Sequence, residues 1–221
     1  MTDHADPLGE LARFQVIPVV EVEHVDDAVP LARALADAGL PVIELTLRTP
    51  AALEAIERVT SACPDVLVGA GTLLDARMVV AASVAGARFG VSPGLSHACL
   101  EAAAEHDLPF VPGVVTPSDA IAALDAGIRH LKFFPAEAYG GIRTLQALAG
   151  PLSATGVRFM PTGGVTAANA GEYLALPSVF AVGGTWIAPR ADISAGRWND
   201  IAERATAATE LVRSLAPEAT P

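Results

Sequence analysis

Eight short runs rich in Val and Ile, each followed by a longer Ala-rich segment with helical spacing, fill the 221-residue chain at intervals of about 20 to 25 residues. No other feature constrains the fold as strongly. Consecutive strands separated by helices pair in parallel, and their right-handed crossovers put the helices on the outside of the sheet. The strand-like runs are residues 16–22 (VIPVVEV), 41–47 (PVIELTL), 66–72 (VLVGAGT), 87–93 (ARFGVSP), 109–115 (PFVPGVV), 130–136 (HLKFFPA), 157–163 (VRFMPTG) and 179–185 (VFAVGGT). Helix starts are marked by Thr49-Pro50, Asp75, Ser96, Thr116-Pro117 with Asp119, and Thr166, and helix ends by Gly39, Gly86 and Gly127. With no linker, low-complexity stretch or GxGxxG fingerprint, the expectation is a (β/α)8 TIM barrel, a single domain over residues 1–221 with the ordered barrel at about 8–215. Residues 8–14 read as a short N-terminal helix capping the barrel bottom, 194–215 as the closing helix, and the tail APEATP as frayed. Aromatics are 5% of a chain that is 52% hydrophobic, so Ala, Val, Leu and Ile must fill the core, as in helix-covered parallel sheets.

The formal charge of -11, with no basic cluster to offset it, argues against nucleic acid or an anionic membrane as a partner. An anionic small-molecule substrate would therefore need local positive groups. No apolar run approaches the roughly 20 residues of a membrane span, and the opening MTDHADPLGE is unlike a signal or transit peptide, so a cytoplasmic address is expected. Cys63 and Cys99 lack CxxC spacing and read as reduced packing residues, and His4, His24, His97, His106 and His130 lack the close spacing of a metal site. No metal and no organic cofactor is expected.

Thirteen of the fourteen basic residues are Arg; Lys132 is the only lysine. Either residue serves for surface charge, but only lysine can lose its proton near neutral pH and attack a carbonyl to form an imine. Leu131, Phe133 and Phe134 make its setting apolar, which penalises the ammonium form. The bland alternative is a structural lysine paired with a carboxylate. In PVIELTLRT, Glu44, Thr46 and Arg48 follow at spacings of two, so a regular strand would put all three on one face with Arg48 nearest the rim. A Glu beside an imine can shuttle protons, and an Arg can grip a carboxylate or phosphate; the alternative is a Glu44–Arg48 ion pair that merely closes the barrel end. VGAGT brings Thr72 to the rim of the third strand. PTGGVT and VGGTW end the seventh and eighth strands with Gly-Gly pairs, where such barrels bind phosphate through backbone N–H groups and a short helix N-terminus, although turn geometry alone also selects Gly.

IELTLRTP, VGAGT, SPG, PGVVTPS, KFFPAEAYGG, LQALAGP, RFMPTGGV and VGGTW, in this order, closely resemble the 2-keto-3-deoxy-6-phosphogluconate (KDPG) aldolase family, also named 4-hydroxy-2-oxoglutarate aldolase, from about Phe14 to Arg213. The resemblance implies class I (Schiff-base) cleavage of KDPG to pyruvate and glyceraldehyde 3-phosphate, with 4-hydroxy-2-oxoglutarate as a further substrate. It implies Lys132 as the Schiff-base lysine, Glu44 as general acid and base, and Arg48 and Thr72 as contacts to the pyruvate carboxylate. Pro93 and Phe134 would be pocket walls, and Gly163, Gly164, Gly183, Gly184 and Thr185 the phosphate cradle. A homotrimer is also implied. The first strand departs from the family, carrying Glu21 and Glu23 where relatives tend to be less acidic.

Thr162 bears on the nearest rival, the C4-epimeric 2-keto-3-deoxy-6-phosphogalactonate: its hydroxyl resembles the gluconate-specific enzymes, whereas galactonate-specific relatives carry an apolar residue. From other classes, a phosphosugar isomerase or epimerase would use the glycine pairs but give Lys132 no covalent role, and a silent phosphate-binding protein would have no use for Glu44, Arg48 and Lys132 together.

Overall fold

Every strand pairing in the computed structural model, which describes residues 6–215, is parallel. Most of the polar opening, with His4, and the tail APEATP lie outside the described residues. The strands are β1 (Val16–Val20), β2 (Val42–Thr46), β3 (Leu67–Gly71), β4 (Phe89–Val91), β5 (Phe110–Val111), β6 (Gly113–Val114), β7 (His130–Phe133), β8 (Arg158–Pro161) and β9 (Val182–Gly184). All eight anticipated runs therefore contain strand, each shorter than its apolar stretch. Every residue of β1, β2 and β3 is buried, because helices cover the outer face while side chains fill the inner one.

The hydrogen-bonded ladder forms two arcs. A curled six-stranded parallel sheet has the order β5-β4-β3-β2-β1-β9, and a three-stranded sheet the order β6-β7-β8. The expected continuous ring of eight strands is thus met in part. The run 109–115 is split at Pro112, which has no N–H to give to the ladder, although its carbonyl accepts from Lys132 N at 2.8 Å. The other junction, from β8 to β9, is carried by the isolated parallel bridges Phe159↔Val179 and Thr162↔Gly183.

Space inside the curled sheet is set by small residues beside large ones. A Cβ on Gly69 would lie 2.1 Å from the ring of Phe89, so the glycine on β3 makes room for the aromatic on β4. The helix signals hold at Asp75, which accepts from Met78 N at 2.9 Å, at Ser96, and at Thr116 with Asp119, which form a reciprocal capping box. Gly39, Gly86 and Gly127 follow helices with φ of +81°, +93° and +79°. Two starts differ from expectation. After β2 the helix begins at Ala52 with Ala51 as its cap, because the Thr49 hydroxyl donates to the Val22 carbonyl at 2.6 Å instead. After β8 the cap of Ala170–Leu174 is Asn169, whose Oδ1 accepts from Thr166 N at 2.7 Å.

The closing helix, expected over 194–215, begins at Trp198 and runs to Leu215; Gly196 (φ +64°) separates it from a short helix, Arg190–Ser194, that precedes it. The N-terminal helix Pro7–Phe14 seals the end of the fold where the strands begin. Its Leu11 is fully buried, and Leu8 lines a cavity of about 310 Å³ with Pro109, Phe110 and His130. Burying a Leu side chain contributes about 2 kcal/mol, so this short helix is held by its apolar face rather than by propensity. No helix among the described residues is long and apolar enough to cross a membrane.

Candidate active site

Lys132 and Glu44 are 88 residues apart in sequence and come from different sheets, on β7 and β2, yet Nζ and Oε1 lie 3.5 Å apart. Both side chains are almost wholly buried, at 7% and 0% exposure. Glu44 is placed by its ladder neighbours, paired with Val19 on β1 and Gly69 on β3. Lys132 is paired with Gly113 and Met160. The second oxygen of Glu44, Oε2, is buried and has no hydrogen-bond partner among the described residues. A buried carboxylate with one oxygen on an amine and the other unpaired is costly if it serves packing alone. It is suited to taking and returning a proton. The Phe134 ring, 5.1 Å from Nζ to its centroid, forms an apolar wall beside the amine.

Gly71 supports this pair in a way that its sequence position did not reveal. A Cβ there would stand 2.2 Å from Oε1 of Glu44, so the carboxylate occupies space that any other residue would fill. The equivalent clue at Gly113 is a Cβ position 2.2 Å from the backbone of Pro93, which brings the Ser92–Gly94 turn against β6. Ser92 closes that turn by donating to the Gly94 carbonyl at 2.7 Å.

Arg48 does not lie on one face with Glu44 and Thr46, as the spacing suggested. The strand ends at Thr46, whose hydroxyl donates to Val20 O at 2.9 Å, and the chain then turns with Arg48 N donating to Thr46 O at 2.8 Å. The Arg48 side chain, 63% exposed, reaches over the rim and meets Glu21 at 3.2 Å, so the Glu44–Arg48 ion pair considered from sequence is not formed. Thr72 follows β3 directly and holds φ +60°, an uncommon conformation for a β-branched residue. It is half-buried, as are Pro93 and Phe134.

At the ends of β8 and β9, the glycines separate into different roles. Gly163 and Gly164 have φ of +92° and +85°, and side chains there would meet Phe134 and Glu137 respectively. A Cβ on Gly183 would come 2.5 Å from Oγ1 of the buried Thr162. Gly184 is explained by packing, since its Cβ would overlap the Trp186 ring at 1.7 Å. Thr185 is exposed just beyond. The helices that follow these two loops have five residues each, so an anion there would rest on loop N–H groups rather than on a long helix dipole. Tyr173, fully buried, donates its hydroxyl to Glu137, and burial pushes the phenol well above its ordinary value of 10.0, with the hydrogen bond and charge of Glu137 adding to the shift. This tie braces the loop after β7 against Gly164.

Arg190 and Glu21 form a second rim cluster. Arg190 donates to Glu21 Oε1 at 2.7 Å and also pairs with Glu23, while Glu21 Oε2 faces Arg48. Nothing in the sequence marks Arg190, a surface arginine whose partner Glu21 is 169 residues away. Among the described residues no three His, Cys, Asp or Glu side chains gather as a metal site.

Residues 9–204 match the family described as KDPG and KHG aldolase. The chain is 45% identical over 195 residues to the KHG/KDPG aldolase of Escherichia coli (strain K12), covering 88% of this chain and 91% of that one. It is 45% identical over 186 residues to the 2-dehydro-3-deoxy-phosphogluconate aldolase of Dickeya dadantii, with 84% and 86% covered. The fold superposes with a TM-score of 0.88 on KDPG aldolase from Legionella pneumophila, whose crystal structure holds pyruvate captured at low pH as a covalent carbinolamine intermediate, at 42% identity over 92% of this chain and 98% of that one. The aldolase of Zymomonas mobilis ZM4 with 3-phosphoglycerate gives 0.84 at 40% identity, over 91% and 94% of the two chains. With its lysine–glutamate pair buried between the two parallel sheets of an α/β fold of matching shape, the chain belongs to the KDPG and KHG aldolase family of carbon–carbon lyases.

Proposed function

We propose that this aldolase cleaves 2-keto-3-deoxy-6-phosphogluconate to pyruvate and glyceraldehyde 3-phosphate through an imine on Lys132, and that 4-hydroxy-2-oxoglutarate is cleaved by the same route to pyruvate and glyoxylate. The observation that carries the reading is the buried contact of 3.5 Å between Lys132 Nζ and Glu44 Oε1. It joins the only lysine of the chain to a carboxylate with a spare buried oxygen.

The neutral amine attacks C2 of the keto acid to give a carbinolamine, and loss of water leaves a protonated imine. Glu44 then takes the C4 hydroxyl proton. The C3–C4 bond breaks, its electron pair moves into the iminium, and glyceraldehyde 3-phosphate leaves as the aldehyde. Glu44 returns the proton to C3 of the enamine, and hydrolysis releases pyruvate and regenerates the amine. Arg48 and Thr72 bind the carboxylate of the pyruvyl half, Pro93 and Phe134 wall the reacting carbons, and Thr162 faces the hydroxylated part of the chain. Gly163, Gly164, Gly183, Gly184 and Thr185 cradle the phosphate. Two consecutive positive-φ glycines, Gly163 and Gly164, support that cradle, since such backbone turns N–H groups into one concavity.

The two arcs of sheet are read as one (β/α)8 barrel forming a single domain, interrupted at Pro112 and bridged at Phe159↔Val179 and Thr162↔Gly183. We propose that the enzyme works in the cytoplasm as a homotrimer, as the family resemblance implies, with both cysteines free and buried. Borohydride reduction in the presence of pyruvate tests the imine. Parallel assays with the gluconate- and galactonate-derived phosphates test the substrate; faster cleavage of the galactonate epimer would contradict the assignment.

A further inference from the structure

The Glu21, Glu23, Arg48 and Arg190 cluster lies at the rim where β1, β2 and β9 end, and the mechanism above leaves three of its four members without a role. The ladder explains why it forms. Val20 is paired with Leu45, so Glu21 leaves β1 beside Thr46 at the point where β2 turns away towards Arg48. Pro18 is paired with Gly184, so the same strand end also faces the segment running from the Gly183-Gly184 pair to Arg190. One carboxylate therefore touches both neighbours, with Oε2 to Arg48 at 3.2 Å and Oε1 to Arg190 at 2.7 Å, while Arg190 also pairs with Glu23. Glu21 is itself mostly buried, at 17% exposure, although both arginines are more than half exposed.

From this geometry we propose that Glu21 is a positioning residue for Arg48 and that Arg190 holds Glu21 in place. The proposal rests on the reading of Arg48 as the carboxylate anchor. Because the strand ends at Thr46, the ladder does not fix the Arg48 side chain; its Nη1 contact with Glu21 does. That contact uses one edge of the guanidinium and leaves Nε and Nη2 as donors for a substrate carboxylate. An exposed arginine loses substantial rotamer freedom when it grips a ligand, and an arginine already oriented loses less, so the effect belongs in substrate binding rather than in the chemical step. The opposite role also has a clear signature: if Glu21 merely competed with the substrate for Arg48, removing its charge would tighten binding.

Steady-state kinetics of Glu21→Gln, Arg190→Ala, Arg190→Lys and Arg48→Ala, alone and with Glu21→Gln added to Arg48→Ala, separate the two. Glu21→Gln is expected to raise KM about two- to fivefold, the range of one partly exposed ion pair, with kcat unchanged. The rise should be the same for phosphorylated and unphosphorylated substrates, because Arg48 serves the carboxylate end. Arg190→Ala should act in the same direction and Arg190→Lys should restore most of the loss. In the Arg48→Ala background, Glu21→Gln should have no further effect. A lower KM in Glu21→Gln, an undiminished effect without Arg48, or an effect confined to phosphorylated substrates would each overturn the proposal. Pyruvate trapping at Lys132 keeps its failure distinct from failure of the aldolase reading. An unchanged KM in Arg48→Ala with trapping intact removes Arg48 from binding and the proposal with it, whereas absent trapping contradicts the imine chemistry itself.

Discussion

Replacing Gly71 with alanine adds one methyl group at a point 2.2 Å from Oε1 of Glu44 and 2.9 Å from its Cδ and Cγ. Ordinary contact begins at 3.4 Å, so the carboxylate or the β3 backbone must move by about 1.2 Å. The backbone is held on both sides, from β2 by Leu47 N donating to Gly71 O at 2.9 Å and towards β4 by Leu73 N donating to Val91 O at 3.1 Å, so the movement falls on Glu44. Glu44 has no solvent to move into, being fully buried, and its only described polar partner is Lys132 at 3.5 Å. A displacement of about 1 Å at a reacting group costs on the order of 100-fold in rate, or about 2.7 kcal/mol in the barrier. Overpacking should also lower folding stability by about 1–3 kcal/mol. The expected result is a kcat down about 100-fold with a smaller change in KM, measured by NADH-coupled reduction of the released pyruvate, and a Tm lowered by several degrees in thermal melts. Adding Gly71→Ala to Glu44→Gln should cost little more in kcat than Glu44→Gln alone, because both remove the same proton carrier. A kcat within about threefold of the parent, despite a lowered Tm, would refute the reasoning, since a methyl group would then have displaced Glu44 without consequence for proton transfer.

Lys132→Arg keeps the charge but removes the nucleophile, so cleavage should become undetectable while the circular dichroism spectrum is retained; activity within about tenfold of the parent would exclude covalent catalysis at this position. Thr185→Ala should raise KM for the phosphorylated substrate about tenfold, the worth of one hydrogen bond to a charged group, and leave KM for 4-hydroxy-2-oxoglutarate unchanged, as read from initial rates with each. Burial beneath the sheet holds His130 below its ordinary value of 6.5; Asp6 opposes the shift and Arg158 adds to it. Because the folded state disfavours the charged imidazole, the stabilisation is complete above pH 6.5 and is lost as the pH falls from there through the lower folded-state value. The Tm should therefore fall between pH 7 and about pH 5 more steeply in the parent than in His130→Phe, and parallel curves would contradict the assignment.

Serial alternation of apolar runs and Ala-rich segments carried the strand count, because a sheet buried on both faces writes itself as continuous hydrophobic stretches. It could not carry strand length, which depends on where the ladder stops. Pro112 splits one run by lacking a donor, and the Arg48 N to Thr46 O turn ends another at Thr46, before Arg48 can join its face. Lys132 was legible through its singularity, and Glu44 through the oddity of a carboxylate in an apolar strand. Their meeting at 3.5 Å is a product of sheet curvature and has no local signal. Gly71 and Arg190 were not legible, because each acts through a residue distant in sequence: one by leaving room for Glu44, the other by reaching Glu21 across the end of β1. Gly184 was legible only as one of a pair, and its contact with the Trp186 ring explains it by packing.

The central claim, covalent catalysis by Lys132, is tested most directly by mass spectrometry after borohydride reduction in the presence of pyruvate. Reduction of the imine leaves a stable secondary amine on the enzyme, and because the chain has a single lysine the adduct has one side-chain address. The account predicts irreversible loss of activity and an adduct mapping to the peptide that contains Lys132. Retained activity with labelling confined to the N-terminal amine would contradict it.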